Sequence, residues 1–188
     1  YHKSLIKPTV NITPLMTPDD YLYGLGWQWA LKNTGQYDID YEGYTGQLGT
    51  PGWDIHAEPA WDIETGKPEV IVAVLDTWVD SDHIDLAANI WTGSSHLNTL
   101  AAAESHGTHV AGTIAAVTGN ALGIAGVAGG SYGGKGVKIM PLNLWGTHGL
   151  STYALFVFAA DNGASIAQNS WGYEDPGVYN QSDLDGID

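Results

Sequence analysis

Two residues thirty positions apart in the 188-residue chain, Asp76 and His106, have the types and settings needed for proton transfer. A carboxylate that accepts from one imidazole nitrogen holds the ring in one tautomer and compensates the charge that forms when the other nitrogen takes a proton. A histidine alone is more often structural. The second histidine three positions on, His109, also admits a metal-ligand reading, but no third ligand stands at a suitable spacing. What favours acid–base chemistry is the setting of each residue.

Asp76 closes Val70-Ile71-Val72-Ala73-Val74-Leu75-Asp76-Thr77. A run of apolar, mostly β-branched residues reads as a strand covered on both faces, as in a parallel sheet. Working residues of open α/β sheets gather beyond the carboxyl ends of such strands. His106 opens Ser105-His106-Gly107-Thr108-His109-Val110-Ala111-Gly112-Thr113. This stretch predicts a helix with Ser105 as its N-cap. Gly107, Ala111, Gly112, Ala115 and Ala116 leave that helix little side-chain bulk, so its backbone can approach whatever it packs on.

These stretches carry a family resemblance. Val72-Ala73-Val74-Leu75-Asp76-Thr77 resembles the aspartate motif of the subtilisin-like serine proteases, and His106 to Gly112 matches their histidine motif residue for residue. Asp82-His83-Ile84-Asp85-Leu86 is similar to their His-Pro-Asp-Leu element, with Ile84 in place of proline. Asn169-Ser170-Trp171-Gly172 resembles their substrate-binding strand. The resemblance runs from about Trp27 to the end of the chain. It implies an α/β, three-layer subtilisin-like fold with a mainly parallel sheet, incomplete in this chain. It also implies peptide-bond hydrolysis, with Asp76 orienting His106 and His106 acting as general base and then acid. Ser170, Trp171 and Gly172 would offer main-chain hydrogen bonds to an extended peptide.

The loop from Val117 to Ala128 is similar to the family's calcium-binding loop. The resemblance implies a calcium ion held by carbonyls of Val117, Leu122 and Ile124, a side-chain oxygen of Asn120 and the carboxylate of Asp85. Asp20, in an aromatic-rich arm like that of several family members, is a further candidate ligand. One departure stands beside the aspartate motif: Trp78 occupies a place where the family has glycine. With Ile84, it motivates the alternative of a catalytically impaired pseudoprotease that binds peptide or serves as a structural subunit.

Composition sets the remaining bounds. A net charge of −15 argues against a nucleic-acid partner, which calls for a basic footprint, and leaves carboxylates available for hard cations. The six basic residues are all lysines, for which we have no physical account. No apolar run is long enough to span a bilayer. The absence of cysteine excludes a disulfide framework and thiol chemistry. The expected location is secreted or at the cell surface, in a bacterial extracellular setting.

Three segments are expected: a proline-punctuated leader or linker over 1–17, an N-terminal arm and loop over 18–52, and the N-terminal part of a catalytic domain over 53–188. A start at Tyr1 is read as that of a processed or excised piece. No serine stands in the Gly-Thr-Ser setting of the family's nucleophile, and the oxyanion asparagine is equally missing from the sequence. The resemblance therefore implies a missing C-terminal half as partner, and a chain that is inactive alone.

Overall fold

The computed structural model describes residues 16–36, 49–99, 105–132, 135–146, 148–172, 177 and 180–186. Most of the expected leader (1–15) and most of the glycine-rich loop before Trp53 (37–48) lie outside the described residues.

Three parallel strands form one sheet: β1 (Ile71–Asp76), β2 (Lys138–Asn143) and β3 (Ala164–Gln168), in the order β2-β1-β3. The continuous burial of β1 follows from its sequence, since an unbroken apolar run is kept from water only where both faces of the strand are covered. Val72, Ala73, Val74 and Leu75 are all buried. The register sets Asp76 beside Asn143, and Gln168 beside Val74. The carboxyl ends of all three strands therefore point the same way.

Alternate residues of β1 serve different layers, as the two-residue period of a strand requires. Val72 and Val74 pack with Ile139, Val79 and Leu86 against Ala111 and Ala115 of α3 (His106–Ala115). Ala73 and Leu75 pack with Met140 and Leu142 against Leu155, Phe156 and Ala159 of α4 (Thr152–Asp161). The result is helix, sheet, helix: the expected three layers. A short α5 (Gln181–Asp185) follows near α4.

The N-terminal arm is fixed to this body by a separate cluster. Met16, Tyr23 of α1 (Tyr21–Gly24) and Leu31 pack with Ala57 and Trp61 of α2 (Ala57–Trp61) and with Ala125. Tyr23 donates to Glu58 Oε1 at 2.9 Å, Lys32 Nζ reaches the same oxygen at 2.8 Å, and Trp61 Nε1 donates to the Val127 carbonyl at 2.8 Å. Burial, and then the bond to Glu58, push the Tyr23 hydroxyl well above its ordinary range.

Between 53 and 62 only Ala57–Trp61 is helical, because His56 takes a left-handed backbone (φ 54°) that an L-residue helix cannot continue through. Helix α4 is apolar but only partly covered: Leu155, Phe156 and Ala159 face the core, while Tyr153 and Val157 are 43% and 39% exposed. Beside it, Ile166 of β3 is 52% exposed.

Candidate active site

Helix α3 begins where β1 ends because of what Gly107 lacks. A Cβ there would collide with the carbonyl oxygen of Thr77 and would also crowd that of Trp78. Glycine lets the first turn of α3 rest on the main chain just past Asp76. That approach puts His106 Nδ1 2.6 Å from Asp76 Oδ1. A carboxylate oxygen can only accept, so Nδ1 carries the proton and Nε2 presents its lone pair. The Asp76 side chain is 1% exposed and that of His106 is 57% exposed. The carboxylate side of the contact is therefore sheltered from water, while more than half of the imidazole side chain is open to solvent.

Asp76 Oδ1 also accepts from the Thr77 N–H at 2.7 Å. Its Oδ2 is buried and without a hydrogen-bond partner among the described residues. Three residues on from Asp76, Val79 exchanges two bonds with the side chain of Asn98: Asn98 Oδ1 accepts from the Val79 N–H and Asn98 Nδ2 donates to the Val79 carbonyl. Asn143 Nδ2 donates to the Thr99 carbonyl at 2.6 Å. Nothing in the sequence around Asn98 or Asn143 signals these clamps; they become visible only when the loops are folded together.

Ser105 is not the cap its type suggests. Its hydroxyl makes no capping bond, and the N–H of Gly107 donates instead to Thr77 Oγ1 at 2.8 Å. Trp78 has no left-handed backbone, so this position does not need glycine's freedom, and the Asp76–His106 contact forms with tryptophan there.

The substrate-strand candidates lie at the same end of the sheet. Ser170 and Trp171 follow β3, two and three residues past Gln168; Ser170 and Gly172 are exposed, Trp171 half-buried. Ser170 Oγ accepts from Gln168 Nε2 at 2.6 Å. Since β3 pairs with β1 on one side and with no further strand among the described residues, its outer edge is open for pairing.

Of the calcium candidates, Asp85, Asn120 and Ile124 come together about the loop that follows α3, and Asp20 is tied to the same loop at Gly119. Asp85, 2% exposed, accepts from Asn120 Nδ2 at 2.8 Å and from the Ile124 N–H at 3.0 Å. Asp20, fully buried, accepts from the Gly119 N–H at 2.7 Å with Oδ2, whereas its Oδ1 is buried without a partner among the described residues. Burial, the largest influence, raises the Asp20 pKa; the Gly119 N–H opposes this, and the nearby negative charge of Asp85 adds to it. Gly123 closes the ring, for a side chain there would run into Asp85 Oδ2. An orphaned carboxylate oxygen near a second buried carboxylate is a donor set that fits a hard cation. One candidate is turned the other way: Asn120 Oδ1 accepts from the Leu122 N–H at 2.9 Å, so it would have to rotate to ligate.

A family model described as the subtilase family matches residues 67–186, which contain both Asp76 and His106. The chain belongs to the subtilase family. It is 32% identical over 173 residues to a thermophilic serine proteinase of Bacillus sp. strain AK1, covering 89% of this chain and 40% of that protein. It is 34% identical to an extracellular protease of Xanthomonas campestris pv. campestris over 133 residues, covering 54% of this chain and 22% of the relative. With a calcium-dependent protease of Trichormus variabilis it shares 31% identity over 166 residues, 83% of this chain and 22% of the other. Among solved structures, the serine protease of Aeromonas sobria, crystallised with a chaperone, superposes with a TM-score of 0.65 at 27% identity, over 86% of this chain and 27% of that one. This subtilase chain thus spans two fifths or less of the length of these relatives. They are proteases by name, and the pseudoprotease alternative is not favoured.

Proposed function

We propose that the protein containing this subtilase chain is a serine endopeptidase, and that this chain supplies the acid–base half of its catalytic machinery. The observation that carries the reading is the 2.6 Å contact of His106 Nδ1 with buried Asp76, at the open carboxyl end of a parallel sheet. Asp76 holds the imidazole so that Nε2 faces solvent. Nε2 takes the proton of a serine hydroxyl as that oxygen attacks the peptide carbonyl, and the buried carboxylate offsets the imidazolium charge. The same proton then passes to the leaving amine. The attacking serine and the asparagine that steadies the oxyanion belong to sequence beyond these 188 residues.

The substrate is a polypeptide in extended form, paired along Ser170, Trp171 and Gly172 as an added strand. The C-terminal half of the domain is the partner that covers the outer edge of β3. Two features support this: the exposure of Ile166 and Val157, and a hollow of about 360 Å³ between α4 and β3 lined by Phe156, Ala159, Ala164 and Ile166. Calcium would sit between Asp20 and Asp85, with Asn120 and the carbonyls of Val117, Leu122 and Ile124 completing the oxygen set. Its charge would hold the post-helix loop to the arm. A secreted or cell-surface location fits the name of the Xanthomonas relative. No helix among the described residues is long and apolar enough to cross a membrane.

The test is hydrolysis of a peptide substrate by the complete protein and its D76N variant. Asp76→Asn should lower kcat about ten-thousand-fold, because an amide at this position favours the wrong tautomer of His106. Equal turnover by the two proteins would contradict the assignment.

A further inference from the structure

Thr77 lies between the two residues of the acid–base pair and touches the element of each. Its N–H donates to Asp76 Oδ1 at 2.7 Å, the same oxygen that His106 Nδ1 approaches at 2.6 Å. Its side-chain oxygen accepts from the Gly107 N–H, in the first turn of α3, at 2.8 Å. That N–H has no acceptor within the helix, as with all donors of a first turn, and Ser105 does not take it. A second tie runs alongside: the Asp80 N–H donates to Thr108 Oγ1 at 2.9 Å. The helix that carries His106 is therefore capped from the strand that carries Asp76, across about thirty residues of chain, rather than by its own preceding residue.

We propose that Thr77 is a positioning residue for His106, its hydroxyl oxygen fixing the first turn of α3 so that the imidazole meets Asp76 in line. The proposal rests on the endopeptidase reading. A cap supplied by Ser105 would stabilise α3 but leave the helix free to tilt against the sheet. A cap supplied by Thr77 couples the helix start to the carboxylate, and a small tilt there moves the ring away from its hydrogen bond. Angular error of this kind is felt in the chemical step more than in substrate binding.

The experiment compares wild type, T77S and T77V in the complete protein, with kcat and KM measured on one peptide substrate. The His106 Nδ1 proton is followed in parallel by proton NMR. T77V keeps the shape of the side chain and removes the acceptor; T77S keeps the acceptor. The expected result is a roughly tenfold fall in kcat for T77V with KM changed less than about twofold, and recovery in T77S. The Nδ1 resonance should broaden through faster exchange in T77V and stay sharp in T77S. Should T77V fail to fold, T77A replaces it with the same expectations. Wild-type turnover in T77V, or a loss in T77S equal to that in T77V, would overturn the proposal. If the wild-type protein has no turnover, the endopeptidase reading fails instead, and the NMR comparison decides alone: identical Nδ1 spectra in all three proteins would remove any role for Thr77.

Discussion

Gly107 and Thr77 are packed so closely that the α-carbon of one leaves no room for a methyl group beside the carbonyl oxygen of the other. This contact is what allows a ten-residue helix to start directly over the end of β1, and it makes glycine a steric requirement one residue after His106.

Gly107→Ala should therefore do the opposite of what helix propensity suggests. Alanine is the better helix former by about 1 kcal/mol, but the new Cβ must push α3 off the strand, at a cost of about 1–3 kcal/mol. The expected outcome is a lower thermal midpoint together with a loss of turnover, since His106 moves with the helix. A midpoint raised by the substitution would contradict the close packing.

Asp20 gives a pH signature. Its folded-state pKa is raised above the ordinary value of 3.8 by burial and by Asp85. Between those two values the native state binds more protons than the unfolded chain. Stability from this group is thus full below the unfolded value and falls as pH rises through the folded one. Without calcium, the difference in thermal midpoint between wild type and D20N should shift against wild type as pH increases from about 4 upward. With calcium the sign should reverse, because the cation binds the ionised carboxylate and stabilises wild type in proportion to its binding. A calcium effect equal in both proteins would remove Asp20 from the site.

The arm is anchored through Tyr23 and Glu58, both buried. Tyr23→Phe removes the donor and leaves Glu58 paired with Lys32 alone. The expected loss is about 1 kcal/mol, read from the urea midpoint. Because the arm also carries Asp20, the variant should need more calcium for the same thermal midpoint.

The acid–base pair is legible in the sequence for a physical reason. A strand buried on both faces must be apolar throughout, so a carboxylate at its end is conspicuous in Val70 to Asp76. A helix that rests on main chain must be made of glycine and alanine, so Gly107, Ala111 and Gly112 mark α3. The layers follow from the same alternation of Val72 and Val74 against Ala73 and Leu75. The capping of α3 is not legible, because Ser105 has the right type in the right place and loses to a residue of another element. Asn98 and Asn143 give no local signal either, since their partners, Val79 and Thr99, are brought to them by loop packing. The exposure along α4 and β3 is equally hidden from pattern: Val157 and Ile166 are apolar like their buried neighbours, and only tertiary contacts decide which of them are covered.

The central claim is that Asp76 and His106 activate a serine, and the most direct measurement is labelling of the complete protein with a fluorophosphonate, followed by mass spectrometry of the labelled peptide. The account predicts a label in wild type on a serine outside these 188 residues, in a Gly-Thr-Ser setting, and its loss in His106→Ala. A folded wild-type protein that takes no label, or a label indifferent to His106, would contradict it.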